Sequence, residues 1–422
     1  MSTVMCHGRF AAMKSQKIIP IEESAMPSMS RHVVFLALSA AALLLCAGLW
    51  PGTSLAEEQT TKKIVYAFDV EFPPFTYERD GKPVGFDIEL FETILKGKDV
   101  KITYKPMNWE NVLVELSAGN VHITSGMIKT KQRLALYTFC SRPTVPLKTR
   151  IFTKNYNRVS TLAQLRGKRV AVKKETLYQV LLDEFGGFKI LPFDSDPTAL
   201  KALFNDQVDA FCGADRSVNW LLEKLNLQGI SAVGIPLRVT NVYYALNRDQ
   251  TELLKWVNDG MLRVRESGDY FRIFRKWFVK ELTPAEQTEL LTKAKAAAIN
   301  SYAPYSRQGM GAAVLAVSGK IYTGCNVENG QASLNVSALQ IATYNAVANG
   351  ETDLRGAVSM LADGRISTPN SEERRLLYEF GPEILAVTEP ERGVYQTKMV
   401  AELLPYPSES MLDAAMEQFP TE

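Results

Sequence analysis

Residues 63–280 repeat a strand followed by a helix, and this alternation limits the possible folds more than any other feature of the chain. Short β-type runs such as 63–67 (KIVYA) and 100–107 (VKITYKPM) are each followed by a stretch with helical spacing of apolar residues. In the first such stretch, Ile88, Phe91 and Leu95 fall on one helical face. Strands that alternate with helices in this way predict α/β layers, with helices packed over mostly parallel sheets.

An apolar run near the amino terminus indicates export. Residues 33–50 (VVFLALSAAALLLCAGLW) follow Arg31 and precede a small-x-small triplet that ends at Ala56. This pattern predicts a signal peptide, residues 1–56, that is removed after Ala56. A retained membrane anchor is the alternative, because an apolar run of this length can span a bilayer. Residues 1–28 precede the basic start and leave the true start codon open.

Net charge and cysteine count bear on the partners of the chain and on what stabilises its fold. The 422 residues carry 48 Lys and Arg against 46 Asp and Glu, and this formal charge of +2 gives no reason to expect nucleic acid or an anionic membrane surface as partner. Beyond the predicted signal peptide the cysteines are Cys140, Cys212 and Cys325, too few for a disulfide framework. We therefore expect apolar cores to hold the mature protein together.

Several motifs along residues 57–280 carry a resemblance to a known family. In chain order they are 72–75 (FPPF), 83–87 (PVGFD), 126–133 (GMIKTKQR) and 274–278 (FRKWF). The region resembles the extracellular solute-binding proteins of polar amino-acid ABC transporters. This resemblance implies a periplasmic binding protein fold of two α/β lobes, joined by hinge strands near residues 143–152 and 241–246. It also implies a periplasmic location, an amino-acid-like small molecule as ligand and an ABC permease as partner.

The same resemblance implies five ligand-binding residues. Arg133 stands where the family places a guanidinium, whose fork matches the two oxygens of a ligand carboxylate. Thr176, at the start of a helix, would add its hydroxyl and backbone N–H groups to that carboxylate. Asp215 would bind the ligand's ammonium, Phe75 would form an apolar wall, and Asp69 would contact the far end of a cationic or polar side chain.

Most of these residues also have a structural interpretation. A solvated surface arginine is the alternative for Arg133, a helix N-cap for Asp215 and a plain loop carboxylate for Asp69. Ile128 stands where the family usually presents Ser or Thr, and we expect it to alter selectivity rather than to abolish binding. Trp109 is interpreted as a core residue.

A helix start near residue 283 indicates a further domain. Thr283 is a capping residue, Pro284 occupies the first helical position and Glu286 supplies a reciprocal carboxylate. We place the domain boundary near Lys280, so that residues 281–422 form a C-terminal domain.

Five short motifs lie along residues 284–410. They are 302–306 (YAPYS), 311–315 (GAAVL), 323–329 (TGCNVEN), 377–381 (LYEFG) and 403–405 (LLP). This series resembles the small homotetrameric cytidine deaminases. The resemblance implies an α/β/α three-layer fold and assembly into a homo-oligomer.

The reactive residues of that family are replaced in this chain. In the family a Cys-Ala-Glu triplet and a Pro-Cys-x-x-Cys turn supply three zinc-binding thiolates and a proton-shuttling glutamate. The corresponding segments are 337–339 (SAL) and 369–373 (PNSEE), and residues 281–422 contain a single cysteine, Cys325, and no histidine. A zinc site draws its ligands mainly from Cys and His, so we predict no catalytic residue, no metal and no cofactor here. This domain would then be a pseudoenzyme that serves oligomerisation or a second binding event.

Part of the family's nucleoside-reading surface is retained. Asn326 and Glu328 match the pair that hydrogen-bonds ribose hydroxyls, whereas Gln308 replaces the phenylalanine that stacks on the base. Asn326 and Glu328 are therefore candidate nucleoside-binding residues, with a loop-bracing role as the alternative. A deaminase-family enzyme or a nucleoside-binding module with an unorthodox site remains the alternative function for the chain.

Overall fold

The computed structural model describes residues 61–404 apart from positions 158, 160 and 175. The predicted signal peptide, residues 1–56, lies outside the described residues. Within the described part, no helix combines the length and the apolar character needed to cross a membrane.

Residues 62–278 form the alternating strands and helices that the sequence predicts. The strands are β1 (Lys62–Asp69), β2 (Glu71–Phe72), β3 (Thr76–Arg79), β4 (Lys82–Val84), β5 (Val100–Met107), β6 (Ile123–Ile128), β7 (Thr138–Phe139), β8 (Val145–Lys154), β9 (Arg169–Lys173), β10 (Lys189–Phe193), β11 (Ala210–Ala214) and β12 (Ile230–Leu246). The helices are α1 (Phe86–Ile94), α2 (Trp109–Ser117), α3 (Lys131–Leu136), α4 (Leu177–Phe185), α5 (Asp196–Phe204), α6 (Asp215–Lys224), α7 (Thr251–Glu266) and α8 (Asp269–Phe278).

One curled sheet runs through both lobes of this region. Its order is β10-β9-β11-β8-β12-β6-β1-β5, with β7 paired to β12, and β2, β3 and β4 form a separate small sheet. The pairs of β1 with β5 and β6 and of β9 with β10 and β11 are parallel, whereas β8 and β12 run antiparallel to their neighbours. We call β1–β7 with α1–α3, α7 and α8 lobe 1, and β9–β11 with α4–α6 lobe 2. The two lobes and their α/β class match the prediction.

Strands β8 and β12 cross between the lobes and form the hinge. They lie antiparallel from Ile230 to Val242, and from Val242 onward β12 pairs with β6 of lobe 1. The first hinge segment was predicted at 143–152, which covers most of β8. The second is predicted at 241–246, and β12 first pairs with β6 of lobe 1 at Val242. The strand itself begins at Ile230 and continues past a register shift between Val233 and Arg238.

The core of lobe 1 follows the helical face seen in the sequence. Ile88, Phe91 and Leu95 are each at most 3% exposed. The ring of Phe91 stacks on Tyr66 of β1, with centroids 5.0 Å apart. Burial of apolar surface of this kind is the main contribution to folding free energy, and it fixes α1 against the sheet that carries the cleft.

The C-terminal module comprises the described residues from 281 onward and has its own sheet. Its strands are β13 (Met310–Ala316), β14 (Ile321–Cys325), β15 (Leu354–Leu361), β16 (Ile366–Ser367), β17 (Leu385–Glu391) and β18 (Val394–Met399). Its helices are α9 (Pro284–Ala298), α10 (Ala338–Ala348), α11 (Ser371–Phe380) and α12 (Val400–Leu403). The strand order is β14-β13-β15-β17-β18, and β16 pairs with β15.

Successive residues of β13 face different helices, which gives the module three layers. Ala313 and Leu315 share a buried cluster with Leu290 of α9. The intervening residue Val314 belongs to a second cluster with Leu339 of α10. Since successive side chains of a strand point to opposite faces, α9 covers one face and α10 the other. The predicted α/β/α arrangement is confirmed.

Close approach of the helices requires glycine in the sheet. A Cβ added at Gly311 would lie 2.1 Å from a backbone oxygen of α9, and one at Gly324 would lie 2.5 Å from a backbone nitrogen of α10.

The start of α9 agrees with the capping box predicted from the sequence. Thr283 Oγ1 accepts from Glu286 N at 3.3 Å, and Glu286 Oε2 accepts from Thr283 N at 2.8 Å. The domain boundary near Lys280 stays a prediction; it lies between the end of α8 and this capping box.

Candidate ligand-binding cleft

A cleft between the two lobes holds about 610 Å³ of space not filled by atoms, part of it open to solvent. Both lobes and one hinge strand contribute side chains. The lining residues are Asp69, Glu71, Phe72, Trp109, Gly126, Ile128 and Arg133 from lobe 1, Leu147 from β8, and Lys173, Thr176, Leu177, Tyr178 and Asp196 from lobe 2. A solute held in this cleft would therefore contact both lobes, as ligand-driven closure requires.

Arg133 lies in the first turn of α3 and is held by local contacts. Its backbone N–H donates to the N-cap hydroxyl of Thr130 at 3.2 Å, and its Nη1 donates to the carbonyl oxygen of Ile128 at 3.3 Å. Its guanidinium lies 5.6 Å from the ring centroid of Trp109. Burial lowers the pKa of Arg133 from its ordinary value of 12.5, but arginine stays charged at any physiological pH. Trp109, expected in the core, thus lines the cleft and supports the cation there.

The aromatic wall of the cleft is formed by Phe72 and not by Phe75. Phe75 is fully buried and stacks behind Phe72, with ring centroids 4.6 Å apart and an interplanar angle of 19°. The other side of Phe75 contacts Phe278 of α8 at 5.3 Å between centroids. The ring of Phe75 completes the core of lobe 1 and Phe72 lines the cleft in front of it, while a direct contact of Phe75 with the ligand stays a prediction.

Asp69 lies at the carboxyl end of β1 and meets a cation from the opposite lobe. Lys173 Nζ lies 3.4 Å from Asp69 Oδ2 and 3.3 Å from Glu71 Oε2. Asp69 Oδ1 also accepts from the backbone N–H of Glu71 at 2.9 Å. Burial lowers the pKa of Lys173, but Asp69, Asp196 and Glu71 raise it more, so its net shift is upward. Lys173 was not singled out from the sequence, because it is one of several lysines around a strand end.

Asp196 is a second cleft residue that sequence reasoning missed. It is 5% exposed, and within the described residues its Oδ1 has no hydrogen-bond partner. Burial raises the pKa of Asp196 to about 7, and the nearby Lys173 offsets part of this effect. Ser195 and Pro197 give Asp196 the sequence signature of a helix start, which conceals its position in the cleft.

Thr176 and Asp215, both from lobe 2, differ in placement. Thr176 lines the cleft at the N-cap of α4, where its hydroxyl donates to the carbonyl oxygen of Lys173 at 2.7 Å and makes no side-chain cap. Asp215 begins α6 outside the cleft lining, and its Oδ1 accepts from the backbone N–H of Arg216 at 2.7 Å. One oxygen of Asp215 thus bonds to the start of α6, and the assignment of the ammonium to Asp215 stays a prediction. The structure brings Asp69, Arg133 and Thr176 together.

In the module, the two candidate nucleoside-binding residues brace a loop. Asn326 Oδ1 accepts from Met310 N at 2.7 Å, and its Nδ2 donates to the carbonyl oxygen of Gln308 at 3.0 Å. Glu328 Oε2 accepts from Tyr305 N at 2.9 Å and from Ser306 N at 3.1 Å. Both side chains thus hold residues 305–310 through hydrogen bonds that a nucleoside would have to replace.

The positions that correspond to zinc ligands act as helix caps. Ser337 Oγ accepts from Gln340 N at 3.2 Å at the start of α10. Asn370 Oδ1 accepts from Glu373 N at 2.9 Å at the start of α11, and Glu373 Oε2 accepts from Asn370 N at 2.9 Å. Leu339, at the position of the proton-shuttling glutamate, is fully buried. Among the described residues no cluster of three or more His, Cys, Asp or Glu could hold a metal ion. These residues do not fit the zinc centre that the deaminase resemblance implies.

Comparison with known proteins identifies the family. The family model of bacterial extracellular solute-binding proteins, family 3, matches residues 64–280, just over half of the 422 residues. The chain belongs to this family. In addition, residues 269–365 match the cytidine and deoxycytidylate deaminase zinc-binding region. The family match covers the two lobes and the hinge, and the second match covers much of the module.

Curated relatives align with the solute-binding region. The L-cystine-binding protein TcyJ of Escherichia coli (strain K12) is 26% identical over 216 residues, which are 50% of this chain and 81% of that protein. The putative ABC transporter arginine-binding protein 2 of the same strain is 27% identical over 245 residues, 56% of this chain and 99% of the relative. A solved ancestral arginine-binding protein bound to glutamine is 27% identical, with 51% and 97% of the two chains covered and a TM-score of 0.48.

Proposed function

We propose that this family member binds a small amino-acid-like solute between its two lobes. The observation that carries the proposal is the composition of the cleft, which combines Arg133 from lobe 1 with Asp196 and Thr176 from lobe 2. Opposite charges on opposite lobes suit a zwitterion, because a bound zwitterion would connect the lobes through two charge-assisted contacts.

The carboxylate of the ligand is assigned to Arg133 and the start of α4. One Nη of Arg133 is already bonded to the Ile128 carbonyl, and a guanidinium has five N–H donors, so several remain for a carboxylate. Each such charge-assisted bond contributes about 1.5–3 kcal/mol. Thr176, at the N-cap of α4, would add the N–H groups of a helix start, which attract anions.

The ammonium of the ligand is assigned to Asp196, in place of Asp215. The Oδ1 of Asp196 is buried and has no hydrogen-bond partner among the described residues, and a bound ammonium would satisfy it. A nearby cation also favours the ionised form of a carboxyl, so ligand binding would lower the pKa of Asp196 from about 7. The cluster of Asp69, Glu71 and Lys173 then lies beside the ligand and selects the ligand's side chain by its charge and length.

We propose that the module is catalytically inactive as a deaminase. The support is chemical: the corresponding positions carry Ser337, Leu339, Asn370 and Glu373, three of which are committed to helix caps and one to the core. A zinc-bound water is what supplies hydroxide at neutral pH, and these side chains do not provide its ligands. Assembly into a homo-oligomer through the module, as the deaminase resemblance implies, is part of the proposal.

Export and delivery complete the proposal. A signal peptide at residues 1–56 would send the chain to the periplasm, and an ABC permease would accept the solute from the closed lobes. The relatives with transporter names support this role.

A thermal-shift panel tests the proposed function on the mature chain from residue 57. The panel holds the twenty L-amino acids, L-cystine, cytidine and uridine, each at a few millimolar. We expect one or a few amino acids to raise the melting temperature of the solute-binding region and the nucleosides to leave it unchanged. Stabilisation by a nucleoside alone would overturn the proposal in favour of a nucleoside-binding module.

A further inference from the structure

The C-terminal module contacts lobe 1 through an apolar core. Leu282, Leu290 and Leu385 of the module belong to the same buried cluster as Phe274 of α8. Among the described residues, lobe 2 contributes Ala214 of β11 to this cluster and Tyr178 of α4 to its margin, whereas the two clusters that fill lobe 2 contain no residue of the module. Close packing of apolar side chains leaves little freedom for sliding, so lobe 1 and the module form one body.

A polar contact reinforces the attachment to lobe 1. Arg275 of α8 donates from Nη2 to Thr397 Oγ1 at 2.8 Å and from Nη1 to the carbonyl oxygen of the same residue at 3.2 Å. Glu402 lies 3.7 Å from the same guanidinium. The arginine thus ties α8 to the last strand and last described helix of the module.

Against lobe 2 the contact of the module is ionic. Arg216 of α6 donates to Glu383 at 3.0 Å, and Arg150 forms an ion pair with Asp353. Arg150 lies in the part of β8 that pairs with β11, at the register position opposite Gly213, and so moves with lobe 2. Opening of the lobes would let water hydrate the charges of these pairs, whereas separation of an apolar core exposes surface that water solvates unfavourably.

The two arginines are shielded, while their partners reach solvent. The side chains of Arg150 and Arg216 are 4% and 12% exposed, against 39% for Asp353 and 28% for Glu383. Burial raises the pKa of Glu383, but the charges of Arg216 and Lys148 outweigh it and hold that pKa below its ordinary value. Lys148 Nζ also donates to the carbonyl oxygen of Phe380 at 2.9 Å, at the boundary between hinge and module.

We propose that the module is a releasable brace, fixed to lobe 1, that holds lobe 2 in the closed arrangement through the Arg150–Asp353 and Arg216–Glu383 pairs. The lobes are joined by β8 and β12, so opening rotates lobe 2 away from any body packed on lobe 1, and these pairs must separate. The contact of Lys173 with Asp69 across the cleft marks the present arrangement as closed. Contacts that exist in only one of two states shift the equilibrium toward it. The role of the module is then to set the balance between open and closed lobes, whichever solute is bound.

Distance measurement between spin labels on the two lobes tests this brace without any added solute. Labels at Glu110→Cys on α2 and Asp183→Cys on α4 use exposed positions, and Cys325→Ser removes the partly exposed native thiol. We expect a narrow distance distribution for the parent protein. In the double variant Asp353→Asn and Glu383→Gln, we expect the population at longer distances to rise several-fold.

A matched control and a salt series complete the test. Asp363→Asn removes the same kind of charge from the module, but its partner Arg365 lies in the same hairpin, so the distances should not change. Raising NaCl from 0.05 to 1 M, which shortens the screening length to about 3 Å, should open the parent protein and have little effect on the double variant. Unchanged distances in the double variant would overturn the proposal, and the single variants Asp353→Asn and Glu383→Gln replace it if it does not fold. Salt also screens the Lys173–Asp69 pair across the cleft, so the salt response of the parent protein counts only as its difference from that of the variant.

Discussion

Lys173 of lobe 2 lies 3.4 Å from the carboxylate of Asp69 in lobe 1, so a cation of one lobe is paired with an anion of the other across the cleft. The side chains of both residues are 13% exposed or less. Because the pair exists only when the lobes are close, it ties the ligand-binding site to the closed arrangement of the lobes.

We expect Lys173→Met to lower the free energy of unfolding by about 1–3 kcal/mol at pH 7.5, because Asp69 and Glu71 lose a buried cationic partner. The neighbouring Lys174→Met is the matched control. Lys174 pairs with Asp194, whose side chain is 87% exposed, and exposed ion pairs contribute little. Urea unfolding of both variants measures their free energies of unfolding. Equal losses of this free energy would show that the cross-lobe pair stabilises the protein no more than the exposed pair does.

Burial of the Asp87 carboxyl should make the free energy of unfolding depend on pH. Its carboxyl is fully buried, and burial raises its pKa from 3.8 to about 7. Between these pH values the folded chain keeps a proton that the unfolded chain releases, so the free energy of unfolding falls as the pH rises through this window. The stabilising contribution of the neutral carboxyl is present near pH 4 and is lost above pH 7.

We therefore expect Asp87→Asn to remove the part of this slope that Asp87 contributes, while Asp196, whose pKa burial also raises to about 7, keeps its own part. The variant should match the parent protein near pH 4 and exceed it by about 2–4 kcal/mol at pH 8. Asp259→Asn, on the exposed face of α7, is the control and should leave the pH profile unchanged. Unfolding free energies measured from pH 4 to 8.5 provide the comparison, and an unaltered slope in the Asp87 variant would contradict the assignment.

The sequence predicts much of the fold because its signals are local or occur in a fixed order. The capping box at Thr283 and the apolar face of α1 depend on residues within one or two turns, and both are found as predicted. The two-lobed class follows from motifs spread over residues 63–280. The full length of β12 has no local sequence signal, because it depends on pairing with β8 across the hinge.

The cleft was harder to predict because tertiary packing decides which side of a turn faces the ligand. Phe72 and Phe75 stand in one motif, and only the aromatic core around Phe278 determines that the second of them is buried. Asp196 has the local signature of a helix start, and only the three-dimensional structure shows that its Oδ1 is buried with no hydrogen-bond partner among the described residues.

Asn370 gives a stability prediction for the module. Its side chain accepts two backbone N–H groups at the start of α11, both at 2.9 Å. We expect Asn370→Ala to destabilise the module by about 1 kcal/mol and Asn370→Asp to be close to neutral, because aspartate caps helices equally well. Equal destabilisation by both substitutions in urea unfolding would contradict the capping role.

Introducing thiols tests the proposed correspondence between Ser337, Asn370 and Glu373 and the zinc ligands of the deaminase family. The triple variant with Ser337→Cys, Asn370→Cys and Glu373→Cys should bind about one zinc ion per chain, because three thiolates at these helix starts complete the family pattern. The parent protein, soaked in zinc and desalted, should retain far less than one equivalent. Metal analysis by mass spectrometry measures both, and a full equivalent held tightly by the parent protein would contradict the proposed loss of the site.

Isothermal titration of the best-stabilising amino acid against the mature chain tests most directly whether the two lobes clamp a zwitterion. We expect one site per chain in the parent protein and at least 100-fold weaker binding in Arg133→Ala, since a charge-assisted carboxylate contact of two bonds is lost. Arg166→Ala, at an exposed position of lobe 2, should bind as the parent does. Unchanged affinity in the Arg133 variant would contradict the account, because the carboxylate would then be held elsewhere.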